Sequence, residues 1–92
     1  MQLSEEQLKE VEEYAALLFT PSEIAIILEV NEIGFIEELK NNESGVYKAF
    51  YKGILTTQIK LRNTELKFAL KGNQTCLDRF EALITKLNKI LP

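Results

Sequence analysis

The sequence predicts an all-α protein in which an N-terminal three-helix unit with a helix-turn-helix is followed by two further helices. Apolar residues recur every three or four positions along most of the chain, and no segment alternates apolar and polar residues as a strand does. Capping residues stand wherever this periodicity restarts. With 92 residues and 46% hydrophobic content, the chain is expected to form one domain, residues 1–92.

The first helix has a complete start signal. Ser4 precedes an apolar stripe that includes Val11 and Ala15, and Gln7 stands at the third helical position. A serine and a glutamine at this spacing form a capping box, in which each side chain accepts a hydrogen bond from the other residue's backbone amide. The sequence therefore predicts a helix that begins after Ser4 and ends near Phe19.

The second and third helices are short and nearly adjacent. Thr20 and Glu23 form another capping box, which predicts a helix from 21 to about 29. Asn31 is placed to cap a third helix from about 32 to 40. Because so short a link makes two helices cross steeply, the pair is predicted to be a helix-turn-helix.

The fourth helix is predicted to be long, from 45 to 71, and the fifth begins after Gly72 and Asn73. This short link predicts that the last two helices form an antiparallel hairpin. Phe50 lies on an apolar stripe of the fourth helix, so we expect it in the core and not stacked on a base.

The fourth helix carries two apolar stripes, which together exceed what one partner helix can cover. We expect the N-terminal unit and a second protomer to share the surplus, so the protein is predicted to be a homo-oligomer. The candidate interface residues are Leu55, Ile59, Leu66, Leu70, Leu77, Ile84 and Leu91.

Charge divides the chain into two opposed parts. Residues 1–43 hold eleven acids against two bases, a net charge of −9, and residues 44–92 hold nine bases against three acids, a net charge of +6. We interpret 1–43 as an acidic helix-turn-helix unit and 44–92 as a basic helical hairpin for oligomerisation. The asymmetry also suggests that the acidic part of one subunit packs against the basic part of the next.

Several segments resemble one protein family. They are PSEIA at 21–25, LEV at 28–30, Phe35 and Leu39, VYKAFYKG at 46–53, and ALKGN at 69–73. Together they resemble small phage and prophage DNA-packaging proteins of the terminase small subunit type, over about residues 20–89. The resemblance implies a helix-turn-helix, a long helix, and a last helix that mediates oligomerisation. It also implies ring assembly on viral double-stranded DNA, which is presented to a large subunit with ATPase and nuclease activity.

The third helix is acidic, and a duplex repels such a surface. It contains three acids, Glu32, Glu37 and Glu38, and one base, Lys40. The candidate DNA contacts are therefore mostly later in the chain: Lys40, Lys48, Lys52, Lys60, Arg62, Lys67 and Lys71. Two alternatives stay open. These bases are simply solvated, or the protein is a non-catalytic interaction or structural module of prophage origin that keeps the helix-turn-helix shape without binding DNA.

Other classes of function find no sequence support. The chain has no histidine and no glycine-rich phosphate loop, so neither an enzyme nor a cofactor is predicted. Its single cysteine, Cys76, has no second cysteine or histidine with which to bind metal or form a disulfide. Without a leader or a long apolar run, the chain is expected to be soluble, cytoplasmic and free of membrane contact.

Overall fold

A computed structural model describes residues 1–91, which form five helices and no strand. The helices are α1 (Glu5–Ala16), α2 (Pro21–Ile27), α3 (Glu32–Leu39), α4 (Gly45–Leu70) and α5 (Gln74–Ile90). The all-α prediction is confirmed. The chain divides into two compact units, unit 1 (Met1–Gln58) and unit 2 (Ile59–Pro92). This division lies within α4, later than the change of charge after residue 43.

The predicted helix starts are present as hydrogen-bonded caps. Ser4 Oγ accepts a hydrogen bond from the Gln7 amide at 3.1 Å, and Gln7 Oε1 accepts one from the Ser4 amide at 2.9 Å. Thr20 and Glu23 make the same reciprocal pair at 3.2 and 2.8 Å. The amide and hydroxyl of Thr20 hold the pKa of Glu23 below its usual value, because both stabilise the carboxylate.

Two of the predicted helix ends are wrong. α1 ends at Ala16 because Leu18 adopts a left-handed conformation, with φ of 67°. The Leu18 amide then bonds to Ala15 O at 2.9 Å and the Phe19 amide to Tyr14 O at 3.2 Å. This is a Schellman motif, and its usual apolar contact is made by the rings of Tyr14 and Phe19, with centroids 5.8 Å apart.

The end of α2 repeats this motif. Glu29 is left-handed with φ of 57°, so α2 ends at Ile27 and not near Glu29. The Glu29 amide bonds to Ile26 O at 3.1 Å, and the Val30 amide bonds to Ala25 O at 3.0 Å. The end of α4 is similar: Gly72, two residues after Leu70, is the left-handed residue, with φ of 96°, and glycine carries no steric penalty there.

Unit 1 has a conventional hydrophobic core to which the start of α4 contributes. Its buried side chains are Val11, Ala15, Ile24, Ala25, Phe35, Val46 and Phe50. Phe50 therefore lies in the core, as the sequence predicts. α1 and α4 meet closely at Gly53, where an added Cβ would overlap Glu12 O and lie 2.9 Å from Ala15 Cβ. Beside it, Thr57 Oγ1 donates a hydrogen bond to Ala16 O.

Unit 2 has almost no buried core of its own. Among its described residues, only Ala69 is buried. Leu77, Phe80 and Leu83 are half-buried. Nine other large apolar side chains are 41 to 79% exposed: Ile59, Leu61, Leu66, Phe68, Leu70, Ile84, Leu87, Ile90 and Leu91. α4 and α5 are nevertheless in contact within this unit, since Arg79 Nη1 lies 2.6 Å from Glu65 Oε1.

Candidate nucleic-acid interface

The outer face of α3 is defined here as Ile33, Glu37 and Lys40, which lie three or four positions apart. Other sides of α3 are covered by the rest of unit 1. Phe35 lies in the core, and the Met1 side chain packs so close to Gly34 that a Cβ there would lie 2.9 Å from Met1 Cε. On the outer face, Ile33 is 73% exposed. Lys40, which follows the last residue of α3, has its Nζ 3.5 Å from Glu37 Oε1.

The remaining acids of α3 have partners as well. Ser22 Oγ donates a 2.6 Å hydrogen bond to Glu32, which links the start of α2 to the start of α3. The Met1 ammonium group lies 3.3 Å from Glu38. α3 therefore presents an apolar side chain beside a neutralised ion pair, and it offers no free cation to a phosphate backbone.

Lys48 and Lys52 lie on the part of α4 that belongs to unit 1. They are one helical turn apart and both are exposed. Lys52 Nζ is 3.7 Å from Glu12 Oε1, whereas Lys48 has no acidic partner within 4.0 Å among residues 1–91. Of these two lysines, only Lys48 therefore lacks an acidic partner, because Lys52 pairs with Glu12 of α1.

Unit 2 concentrates the unpaired positive charge of this protein. It carries seven bases and three acids, a net charge of +4, whereas unit 1 carries four bases and eleven acids, a net charge of −7. Of the seven bases, Arg79 alone has an acidic partner within 4.0 Å in the described part of the chain. Six bases remain exposed without such a partner: Lys60, Arg62, Lys67, Lys71, Lys86 and Lys89.

The structure brings some of the candidates together and separates others. Lys60, Lys67 and Lys71 recur at intervals of seven and four residues, so they share one side of α4. Arg62 lies on another side, where it lines a groove with Lys86 of α5. Lys86 and Lys89 were not among the predicted contacts, although the positive balance of residues 44–92 already included them.

The predicted oligomer interface residues are nearly all exposed. Leu55, in unit 1, and Ile59, Leu66, Leu70, Ile84 and Leu91, in unit 2, are exposed, and Leu77 is half-buried. Exposed apolar patches larger than a few hundred Å² are uncommon on monomers and mark interaction surfaces. These side chains are therefore available for contact with another chain.

Over residues 1–91, no group of three or more cysteine or acidic side chains is arranged as metal ligands. None of the helices in that range combines the length and the hydrophobicity that a bilayer-crossing segment requires.

Comparison with protein-family models, with curated proteins and with solved structures finds no match. The likeness to DNA-packaging proteins therefore rests on the segments quoted above. In the structure, residues 21–25 begin α2, residues 46–53 pack α4 into the core, and residues 69–73 end α4. Each of these roles is structural, so the segments bear on the fold more directly than on DNA.

Proposed function

We propose that this protein is a non-catalytic, oligomeric DNA-binding protein that acts in viral DNA recognition or packaging, similar in role to a phage terminase small subunit. The observation that carries the proposal is the group of six unpaired bases on unit 2. Bases without acidic neighbours are free to replace the counterions condensed on a duplex, and the release of those counterions drives binding.

Assembly of several copies follows from the exposed apolar side chains of unit 2. We infer that α4 and α5 form an antiparallel hairpin there, which the Glu65–Arg79 ion pair and the three-residue link 71–73 support. One hairpin leaves its apolar flanks in water, and a second copy would cover them. An assembly would also present several sets of bases to one duplex, which raises the overall affinity.

The helix-turn-helix is assigned a supporting role in this proposal. α2 and α3 pack against each other across the four-residue link 28–31, as a helix-turn-helix requires. The outer face of α3 nevertheless has no free base. We therefore assign phosphate contact to unit 2, with Lys48 in addition, and leave unit 1 free to engage a protein such as a terminase large subunit.

The proposal predicts salt-sensitive binding of mixed-sequence duplex DNA. If Lys60, Lys67 and Lys71 of two copies on one duplex make about six phosphate contacts, the affinity is expected to fall roughly 10³-fold between 50 and 200 mM salt. Fluorescence anisotropy of a labelled duplex measures this directly. The triple variant Lys60→Glu, Lys67→Glu, Lys71→Glu should lose detectable binding, since it places three acids on the proposed contact side.

The matched control replaces the same three lysines by arginine. Arginine also binds phosphate, so this variant should keep both the affinity and the salt dependence. Absence of binding at 50 mM salt, or equal binding by the glutamate and arginine variants, would exclude the proposal.

The second candidate is a protein-interaction or structural module that does not bind DNA. It is favoured by the outer face of α3, where Ile33 is exposed and Lys40 is paired with Glu37. This candidate predicts that the protein assembles in solution while no duplex binds at 50 mM salt.

A further inference from the structure

Unit 2 contains a groove lined by three apolar side chains and two bases. Leu83, Leu87 and Ile90 of α5 line it together with Lys86 and with Arg62 of α4, and its volume is about 180 Å³. A cavity of about 150 Å³ with an aliphatic lining accommodates a molecule of the size of benzene. The groove therefore has room for one apolar side chain, and its two bases favour an acidic residue beside that side chain.

Unit 1 carries a surface of the complementary kind. On the outer face of α3, Ile33 projects with 73% of its surface exposed, and Glu37 follows one turn later. Lys40 Nζ contacts only Oε1 of Glu37 in an exposed ion pair, so Oε2 of Glu37 is available to a base of another chain while Lys40 stays paired.

We propose that the outer face of α3 in one copy docks into the groove between Arg62 and Lys86 in a second copy, with Ile33 in the groove and Glu37 beside the two bases. This docking depends on the self-assembly of the protein proposed above, and it specifies the surfaces through which the copies meet. The charges of −7 on unit 1 and +4 on unit 2 favour the pairing of one copy with another.

A nucleic acid is a poorer occupant of this groove than a protein side chain. A phosphate backbone would satisfy Arg62 and Lys86 but would leave Leu83, Leu87 and Ile90 without an apolar partner. Arg62 also lies two residues from Lys60, about 200° around the helix, so the groove and the side with Lys60, Lys67 and Lys71 point in different directions. Docking and DNA contact can therefore occur together.

The proposed contact is heterologous, because it joins two different surfaces. Repetition of such a contact produces a closed ring if the rotation between subunits closes, and an open filament if it does not. Each copy would then carry one occupied groove and one occupied α3.

Charge exchange on the full-length protein tests the contact. Glu37→Lys and Lys86→Glu should each raise the dissociation constant of self-association about three- to tenfold at 50 mM salt. A mixture of these two variants should recover association, because the lysine of one then meets the glutamate of the other. Sedimentation velocity over a range of concentrations, with the wild type in parallel, measures all four cases.

Lys89→Glu is the matched control, since it makes the same charge change on α5 outside the groove. It should leave association at the wild-type level. Any of four results would overturn the contact. The wild type could stay monomeric up to 1 mM, or the single variants could associate as tightly as the wild type. The mixture of variants could fail to recover association, or Lys89→Glu could weaken association as much as Lys86→Glu. The DNA assay depends on Lys60, Lys67 and Lys71, so failure of the charge exchange alone would leave DNA binding and assembly standing, whereas a monomeric wild type would remove both the contact and the proposed assembly.

Discussion

At the scale of single residues, Gly53 allows α1 and α4 to approach each other in unit 1. A methyl group at this position would overlap Glu12 O and crowd Ala15. Both obstacles belong to the backbone or to a buried side chain, so neither can move away without shifting α1. We expect Gly53→Ala to lower the free energy of unfolding by about 2–3 kcal/mol, despite the higher helix propensity of alanine, as urea denaturation would measure.

Gly34→Ala is the control for this change. A methyl group there would come within 2.9 Å of the end of the Met1 side chain, which is flexible and can rotate away. The gain in helix propensity, about 1 kcal/mol, should then leave stability unchanged or raised. Equal unfolding midpoints for Gly53→Ala and the wild type would contradict the close approach.

The sequence marks Gly53 as unusual but does not give the reason. A glycine within an apolar stripe predicts either a bend or a close contact. α4 runs unbroken through this position, so the close contact is the explanation. Its partner is a carbonyl group on α1, and contacts between distant parts of the chain leave no pattern in a single sequence.

At the scale of helices, the starts were predictable and two of the ends were not. A helix start is marked by a capping residue whose side chain bonds to an amide within the next three residues, so the whole signal is local in the sequence. This is the case for Ser4, Thr20, Asn31 and Asn73. Leu18 and Glu29 carry no such signal. Glycine is the usual left-handed residue after a helix, and neither position carries one.

The strain at Glu29 can be removed. Glu29→Gly should raise the free energy of unfolding by about 1 kcal/mol, because glycine has no Cβ to oppose a φ of 57°. Glu29→Gln measures separately the effect of removing a negative charge from the C-terminus of α2. Urea denaturation of both variants should show a larger gain for glycine than for glutamine, and an equal gain would attribute the effect to charge alone.

At the scale of the whole molecule, the two units differ in how far they can stabilise themselves. The core of unit 1 was largely predictable, since Val11, Ala15 and Phe50 fall on the apolar stripes. The hairpin 44–92 was predicted to have more apolar surface than one chain buries, and the interface candidates Leu70 and Ile84 are exposed. The groove beside Arg62 could not be foreseen, because it depends on which turn of α5 meets which turn of α4.

This difference predicts two kinds of thermal unfolding in one protein. All three tyrosines, Tyr14, Tyr47 and Tyr51, belong to unit 1, so tyrosine fluorescence reports that unit alone. Circular dichroism at 222 nm reports every helix. If copies cover the apolar side chains of unit 2, the dichroism transition should include a component that rises by several degrees for each tenfold increase in protein concentration, while the fluorescence transition stays fixed.

The variant Ile84→Glu provides the test of that component. Ile84 is 56% exposed in the middle of α5, so a glutamate there is tolerated by a lone chain but places an uncompensated charge in any contact that covers it. The concentration-dependent component should then move to lower temperature or disappear, with the fluorescence transition unaltered. If the dichroism and fluorescence transitions of the wild type coincide at every protein concentration, unit 2 is stable without a second copy, and the oligomeric proposal would have to be abandoned.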